Sequence, residues 1–251
     1  MFMFQSQLLF VSVFNYGVIE MAKNHIKSLH NHGHTNTMSF VTDQASMDIL
    51  TALGYPCTLV LETDIGQEKK DFGTCEFNHM SYLRYHCISK LQEKNYNLDI
   101  WYMDVDTVVL TNLTDCYRGL KKTGLNVCFQ NDINMMCTGC MLLFASRLTR
   151  DFVKIVWENK TQNYNDQLLV KELLSTHSTL IRYKPLTPEL FPCGVLYFGD
   201  DFVKIPVQIA SLRTETQLRM SQRPPMFVHA NWMIGDEKKI AALKKYGLWF
   251  L

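Results

Sequence analysis

The chain has 251 residues, of which 47% are hydrophobic and 20% are charged. Its 25 Lys and Arg residues nearly balance its 24 Asp and Glu residues, which disfavours a nucleic-acid-binding protein because phosphate recognition usually shows a basic surplus. The apolar fraction is too high for a disordered chain, and the length suits a single globular domain over residues 1–251.

The first 110 residues alternate strands and helices with short turns between them. The apolar periodicity predicts strands at 8–14, 38–42, 57–61 and 98–103, and helices at 18–30, 45–53 and 79–94. Strands that alternate with helices usually pair in parallel, with helices on both faces of the sheet. The order therefore predicts an α/β fold with a mainly parallel central sheet.

The second half of the chain is less regular. The patterns predict strands at 127–129, 135–144 and 227–229, and helices at 148–157, 165–174 and 237–246. Between residues 178 and 225 they predict only short strands and proline-containing turns. The lysines of the last helix, Lys238, Lys239, Lys244 and Lys245, are expected to form a solvated face, although one of them could approach a diphosphate.

The apolar run at 8–14 has no basic flank and is shorter than the 20 or so residues that a membrane span needs. We therefore expect no membrane span and a cytoplasmic protein. A second feature, the isolated Cys137-x-x-Cys140 pair, has no partner pair to complete a zinc site and lies in a predicted strand, where its two side chains face opposite ways. Reduced, buried thiols are expected.

The strongest chemical signal is a pair of aspartates, Asp104 and Asp106, at the end of the apolar strand 98–103. Ligands of open α/β sheets bind outside the carboxyl ends of the strands. Two carboxylates that converge there repel each other unless a cation lies between them, and hard oxygen ligands suit Mg²⁺ or Mn²⁺ bridging to phosphates. The alternative is a solvated strand end that carries two acids by chance.

Four segments of the chain resemble motifs of the GT-A glycosyltransferases in the nucleotide-diphospho-sugar transferase family. Asp104-Val-Asp106 resembles the D-x-D motif, and Cys137-Thr-Gly-Cys140 resembles the N-T-G strand, with Cys137 where Asn is usual. Asn165-Asp-Gln167 resembles the N-D-Q helix start, and His229-Ala-Asn231 resembles the closing H-x-N motif. The segments keep the family's order over about residues 8–251, and the chain resembles soluble viral and plant members of the family.

The resemblance implies a GT-A fold, with a nucleotide-binding half at about 8–110 and a sugar- and acceptor-binding half at about 111–251. It implies that Asp104, Asp106 and His229 hold Mn²⁺ or Mg²⁺, with Asp104 contacting the ribose or a metal-bound water. It further implies a set of donor-binding residues, namely Phe14, Asn15, Tyr16, Asp43, Arg84, Asp104 and Gln167. For Asp43 and Arg84 the alternatives are a turn or cap residue and a solvated helix charge.

Two acids remain as catalytic candidates, Asp132 and Asp166. In an inverting reaction one of them would be the general base, whereas in a retaining reaction both would stabilise an oxocarbenium-like transition state. Asp166 could instead cap the helix that begins at this point. The sequence leaves the stereochemistry open.

The resulting prediction is a metal-dependent glycosyltransferase. It would move a sugar, xylose or galactose among the candidates, from a nucleotide donor, UDP-linked in preference, to a hydroxyl of a glycan or glycoprotein acceptor. For a viral member the compartment would be the host cytoplasm. A nucleotidyltransferase is disfavoured because no glycine-rich phosphate loop follows the first strand. A degenerate sugar-nucleotide-binding module stays open because of Cys137.

Overall fold

The computed structural model describes residues 7–60, 68, 73–133, 135–161, 163–176, 181–202 and 207–251. The strands and helices of its first half are β1 (Gln7–Phe14), α1 (Ile19–Asn31), β2 (Thr37–Val41), α2 (Gln44–Ala52), β3 (Cys57–Leu59), α3 (Cys75–Lys94), β4 (Leu98–Met103), β5 (Thr107–Val109) and α4 (Thr114–Lys121). Those of the second half are β6 (Val127–Asp132), β7 (Met135–Leu143), α5 (Arg147–Glu158), α6 (Asp166–Thr176), β8 (Tyr183–Pro185), α7 (Gly194–Tyr197), α8 (Val207–Gln222), β9 (Phe227–His229) and α9 (Asp236–Lys245).

Within the described residues, seven strands form a central sheet in the order β3-β2-β1-β4-β7-β6-β8. β1 is parallel to both β2 and β4, and β6 is parallel to β8. β7 is antiparallel to its neighbours β4 and β6, so it is the strand that runs against the others. The expectation of a mainly parallel sheet is confirmed. A second, two-stranded sheet pairs β5 with β9.

Helices cover both faces of the central sheet, as the alternation of elements predicts. Leu9 and Val11 of β1 point to the face covered by α3, α5 and α6. Phe10, between them, points to the other face and belongs to a cluster with Leu29 of α1 and Tyr117 of α4. Successive strand residues point to opposite faces, so a continuous apolar strand such as β1 is buried on both sides.

One expectation is wrong. The region between 178 and 225, expected to hold only short strands and turns, contains the 16-residue helix α8. Its apolar stripe is narrow, with Ile209 and Leu212 packing against α7, and this stripe is too weak for periodicity to reveal. Residue 61 of the third predicted strand and residues 178–180 and 203–206 lie outside the described residues.

The described helices include none that is both long enough and apolar enough to cross a membrane. The eight cysteines are all free thiols. Cys137 lines the cavity described below, whereas Cys140 packs in the cluster on the opposite face of β7, as the strand assignment predicts.

Candidate active site

A cavity of about 550 Å³ opens beside the carboxyl ends of β1 and β4. Its wall is formed by the end of β1, by α3, by the turn after β4, by β7, by the start of α6 and by the segment that runs from β9 into α9. The sequence-predicted residues that line it are Phe14, Asn15, Arg84, Asp104, Asp106, Asp132, Asp166, Gln167 and His229. Residues from six separate segments of the chain therefore meet at one place.

The Asp-Val-Asp turn and His229 come together because β5 pairs with β9. Thr107, directly after Asp106, lies opposite His229 in that antiparallel pair, and the amide N–H of Ala230 donates to the carbonyl oxygen of Asp106 at 2.9 Å. One ligand atom from each of Asp104, Asp106 and His229 lies within 4.8 Å of the other two. Two carboxylates and an imidazole at this spacing fit a divalent cation.

Asp106 is buried between an ammonium group and an imidazole. Its Oδ1 lies 3.0 Å from His229 Nε2, and its Oδ2 lies 2.6 Å from Lys239 Nζ. Burial opposes ionisation of Asp106, but Lys239 and His229 outweigh it and hold the pKa of the carboxyl well below its usual range. Lys239 therefore does not belong to a solvated face; its ammonium group lies in the cavity wall.

Gln130 of β6 sets the orientation of the His229 ring. The Gln130 amide donates through Nε2 to the backbone oxygens of Phe191 and Pro192, at 3.2 and 2.9 Å. Its Oε1 must therefore accept, and it lies 2.6 Å from His229 Nδ1. With Nδ1 protonated in this way, Nε2 turns its lone pair or proton towards the two aspartates, which is the arrangement that a metal-ligating histidine needs. No sequence motif pointed to Gln130.

Gly139 of β7 lies against the same cluster. A bulge between Phe129 and Gln130 shifts the register of β6 and β7, and the carbonyl of Gly139 accepts from the amide of Asp104 at 2.7 Å. A Cβ at position 139 would lie 2.3 Å from Asp104 Oδ2 and 2.8 Å from His229 Cε1. The absent side chain is what makes room for the two candidate ligands.

Arg84 of α3 is buried between two acids, which excludes the alternative of a solvated helix charge. Its guanidinium lies 3.5 Å from Asp104 Oδ1 and 3.7 Å from Asp166 Oδ2. Burial raises the pKa of Asp166, and Arg84 partly offsets this. Within the described part of the chain, Arg84 Nε and Asp166 Oδ2 have no hydrogen-bond partner; both atoms are buried and lie 3.7 Å apart, so the two groups interact as an ion pair.

Asp132, at the end of β6, is held by the segment after β9. Its Oδ1 accepts from Asn231 Nδ2 at 3.1 Å and from Trp232 Nε1 at 2.5 Å. Asn231 in turn accepts from the amide of Gly194 at 2.7 Å. On the other side of the cavity, Gln167 Oε1 accepts from the amide of Thr138 at 3.4 Å.

Of the four residues predicted to bind the donor at and beside the turn after β1, only two line the cavity. Phe14 is buried and lines the cavity, and Asn15 donates to the backbone oxygen of Glu68 at 2.7 Å. Tyr16 points to a separate surface depression. Asp43 caps α2 by accepting from the amide of Ser46 at 2.8 Å and also accepts from the amide of Tyr16 at 2.7 Å. Asp43 thus positions the turn, and it is not among the residues that line the cavity.

His25 of α1, which sequence reasoning missed, contacts the backbone directly after the Asp104-Val-Asp106 turn. It is 1% exposed, and its Nδ1 lies 2.7 Å from the carbonyl oxygen of Thr107, so Nδ1 donates. Burial lowers the pKa of His25 to about 4, although the Thr107 carbonyl and Asp106 partly oppose this. The neutral imidazole therefore belongs to the folded state at neutral pH.

Replacing His25 by Asn should flatten the pH dependence of stability. In the unfolded chain His25 protonates near pH 6.5, whereas in the folded protein it stays neutral down to about pH 4. The unfolded state thus binds more protons in this window, and His25 stabilises the fold above pH 6.5 but loses that contribution as the pH falls towards 4. Between pH 7 and 4.5 the parent should lose about 2–3 kcal/mol more unfolding free energy than His25→Asn. The free energies of unfolding are measured by urea denaturation at several pH values. If those of the parent and of His25→Asn fell by the same amount between pH 7 and 4.5, the assignment would be wrong.

The fold and the cavity define the class of the protein: an α/β domain of the GT-A type with acidic and imidazole side chains gathered at the carboxyl edge of its sheet. Residues 32–243 match the family model described as nucleotide-diphospho-sugar transferase. The chain belongs to that family, and the resemblance drawn from its motifs is confirmed. No curated protein matches the sequence.

Solved structures of glycosyltransferases share the fold. The bifunctional glycosyltransferase WbbM matches over 96% of this chain and 50% of its own, with a TM-score of 0.58 and 14% identity. GlyE of Streptococcus pneumoniae matches over 97% of this chain and 64% of its own, with a TM-score of 0.57 and 12% identity. The galactosyltransferase LgtC matches over 96% of this chain and 94% of its own, with a TM-score of 0.56 and 13% identity. This chain thus spans half of WbbM and less than two thirds of GlyE.

Proposed function

We propose that the protein is a metal-dependent glycosyltransferase that moves a sugar from a UDP-sugar to a hydroxyl group of a glycan or glycoprotein acceptor. The observation that carries the proposal is the group formed by Asp104, Asp106 and His229 within 4.8 Å at the wall of a 550 Å³ cavity. Family membership supports a nucleotide-sugar donor, and the LgtC structure contains donor and acceptor sugar analogues in that related fold.

Asp104, Asp106 and His229 would hold Mn²⁺ or Mg²⁺. When bound, such an ion supplies Lewis-acid stabilisation of the charge that develops on a leaving diphosphate. Gln130 keeps His229 Nδ1 protonated through the 2.6 Å hydrogen bond and so presents Nε2 to the site. Lys239, beside Asp106, adds a positive charge on the same side of the cavity, where a diphosphate would be attracted.

The acids on the other side of the cavity would act on the transferred sugar. Asp166 would accept hydrogen bonds from sugar hydroxyls, and Arg84, whose Nε lies 3.7 Å from Asp166 Oδ2, would hold it in place. Asp132 would lie on the acceptor side, where Asn231 and Trp232 fix its Oδ1. For a reaction that inverts the anomeric carbon, one of these carboxylates would take the acceptor's proton; for one that retains it, both would stabilise the positive sugar ring.

A thermal-unfolding experiment tests the donor site. UDP and GDP are each added at high concentration with Mn²⁺ or with EDTA, and the melting temperature is recorded by calorimetry. A ligand present at 100 times its Kd adds about 2.7 kcal/mol of stability, which is readily measured. We expect a large shift with UDP plus Mn²⁺, a small one with UDP plus EDTA, and a smaller one with GDP. Absence of any nucleotide shift would refute the donor site and favour a degenerate module.

A further inference from the structure

Trp232 lies on the rim of the cavity. Its side chain is 46% exposed, and its backbone φ of +69° is a left-handed conformation that bulky residues rarely adopt. Strained backbone of this kind persists where the surrounding structure holds it, and such positions cluster at ligand sites. We propose that the indole of Trp232 is a platform on which a saccharide ring of the acceptor stacks; the proposal rests on the glycosyltransferase function proposed above.

The indole is held in one orientation. Its Nε1 donates to Asp132 Oδ1 at 2.5 Å, and Asn231 Nδ2 donates to the same oxygen at 3.1 Å. Asn231 is itself fixed by the 2.7 Å hydrogen bond from the amide of Gly194. Because the N–H edge of the ring is tied down, an aromatic face is presented to the cavity rim without the entropy cost of ordering a mobile side chain.

The surroundings of Trp232 favour a saccharide over a purely apolar partner. Polar side chains line the same cavity, namely Asp132, Asn165, Gln167 and Asp236. A sugar ring carries C–H bonds on one face and hydroxyl groups at its edges. The negative face of an aromatic ring attracts the C–H hydrogens, and the polar side chains satisfy the hydroxyls. A purely apolar ligand would bury these polar groups without partners, which is costly.

The position of the platform separates it from the candidate metal ligands. Trp232 hydrogen-bonds to Asp132, which is not a candidate metal ligand, whereas Asp106 is engaged by His229 and Lys239. Ile234, two residues further on, is 78% exposed and extends the apolar part of the rim. Because Trp232 contacts none of the candidate metal ligands, we expect its loss to weaken binding of the acceptor more than binding of the donor.

Intrinsic fluorescence tests saccharide binding directly. Lactose, maltose and xylobiose are titrated separately into the protein in the presence of UDP and Mn²⁺, and tryptophan emission is recorded. We expect at least one of them to change the emission of the parent protein. Trp232→Phe should abolish that change. The matched control is Trp157→Phe, whose indole packs against His86 away from the cavity and whose loss should leave the change in place.

The initial rate of transfer is then measured with a UDP-sugar and a saccharide that bind. The KM values for donor and acceptor show which of the two substrates Trp232 contacts. Trp232→Gly, which suits the left-handed backbone, should raise the acceptor KM at least tenfold and shift donor consumption from transfer towards hydrolysis by a similar factor. Trp232→Phe, which keeps an aromatic face, should stay within about threefold of the parent acceptor KM.

Two results would overturn the platform while the proposed function stands. One is a UDP and Mn²⁺ melting shift with no emission change from any of the three saccharides. The other is a rise in the donor KM of Trp232→Gly that matches or exceeds the rise in its acceptor KM, which would place the indole on the donor. Absence of the UDP and Mn²⁺ shift in the parent protein would instead overturn the proposed function, and the platform with it.

Discussion

Asp106→Asn is expected to lower the rate of UDP release from a UDP-sugar about a thousandfold, which corresponds to about 4 kcal/mol of transition-state stabilisation. The substitution keeps the shape of the side chain but removes the charge that a divalent ion needs. It also leaves the buried His229 and the partly buried Lys239 without their shared carboxylate. The measurement is the initial rate at saturating Mn²⁺, together with the Mn²⁺-dependent part of the UDP melting shift, which should vanish.

Loss of a buried ion pair destabilises any protein, so Asp106→Asn needs a control that breaks a comparable pair elsewhere. Asp99 of β4 provides it: the residue is fully buried, forms an ion pair with Lys121, and accepts from Tyr117 Oη at 2.6 Å. Asp99→Asn should lower the melting temperature yet retain the Mn²⁺-dependent UDP shift. If both variants lost that shift to the same degree, the effect at Asp106 would be one of general stability.

Gly139→Ala is expected to lower the transfer rate about a hundredfold. The added Cβ would lie 2.3 Å from Asp104 Oδ2 and 2.8 Å from His229 Cε1. The closest clash is with the end of a side chain, so the fold should survive with a cost of about 1–3 kcal/mol, while Asp104 moves away from its position in the cluster. Displacing a group at a reacting centre by about 1 Å can cost on the order of a hundredfold in rate. The transfer rate and the affinity for Mn²⁺ are both measured, for Gly139→Ala and for the parent protein.

Gly119→Ala is the matched control for the added methyl group. Gly119 lies within α4, and a Cβ there would meet nothing within 4 Å. Alanine in a helix interior is favoured over glycine by about 0.5–1 kcal/mol, so this variant should be slightly more stable and fully active. A Gly139→Ala protein with unchanged Mn²⁺ affinity and rate would show that the close approach of β7 to the cluster has no functional consequence.

Much of the fold follows from local patterns. The continuous apolar runs of β1 and β4 are buried on both faces, and the structure places both in the middle of the sheet. The helices between the first four strands were predicted to within a few residues for the same reason. α8 was missed because few of its residues pack against the rest of the protein, and a polar sequence with a narrow apolar stripe gives periodicity little to detect.

The candidate site likewise contains residues that the sequence predicted and residues that only the structure revealed. Asp104, Asp106, Asp166 and His229 were selected from motifs, and the structure brings all four to one cavity. Lys239 was expected among solvated lysines, but the turn at Gly235 directs α9 so that this one side chain enters the cavity and pairs with Asp106. Gln130, His25 and Gly139 have no chemical motif of their own, because each acts only through a neighbour that is distant in the sequence.

The sequence by itself therefore determined the α/β class, the mainly parallel sheet and the acids and histidine that meet at its carboxyl edge, because these depend on strand order and on residue type. Only the tertiary structure decided which side chains support them. The pairing of β5 with β9 places His229 beside Asp106, the register shift between β6 and β7 brings Gly139 against Asp104, and the left-handed backbone at Trp232 lies at the cavity wall. Such contacts can join segments more than 100 residues apart in the sequence, whose register no local pattern encodes.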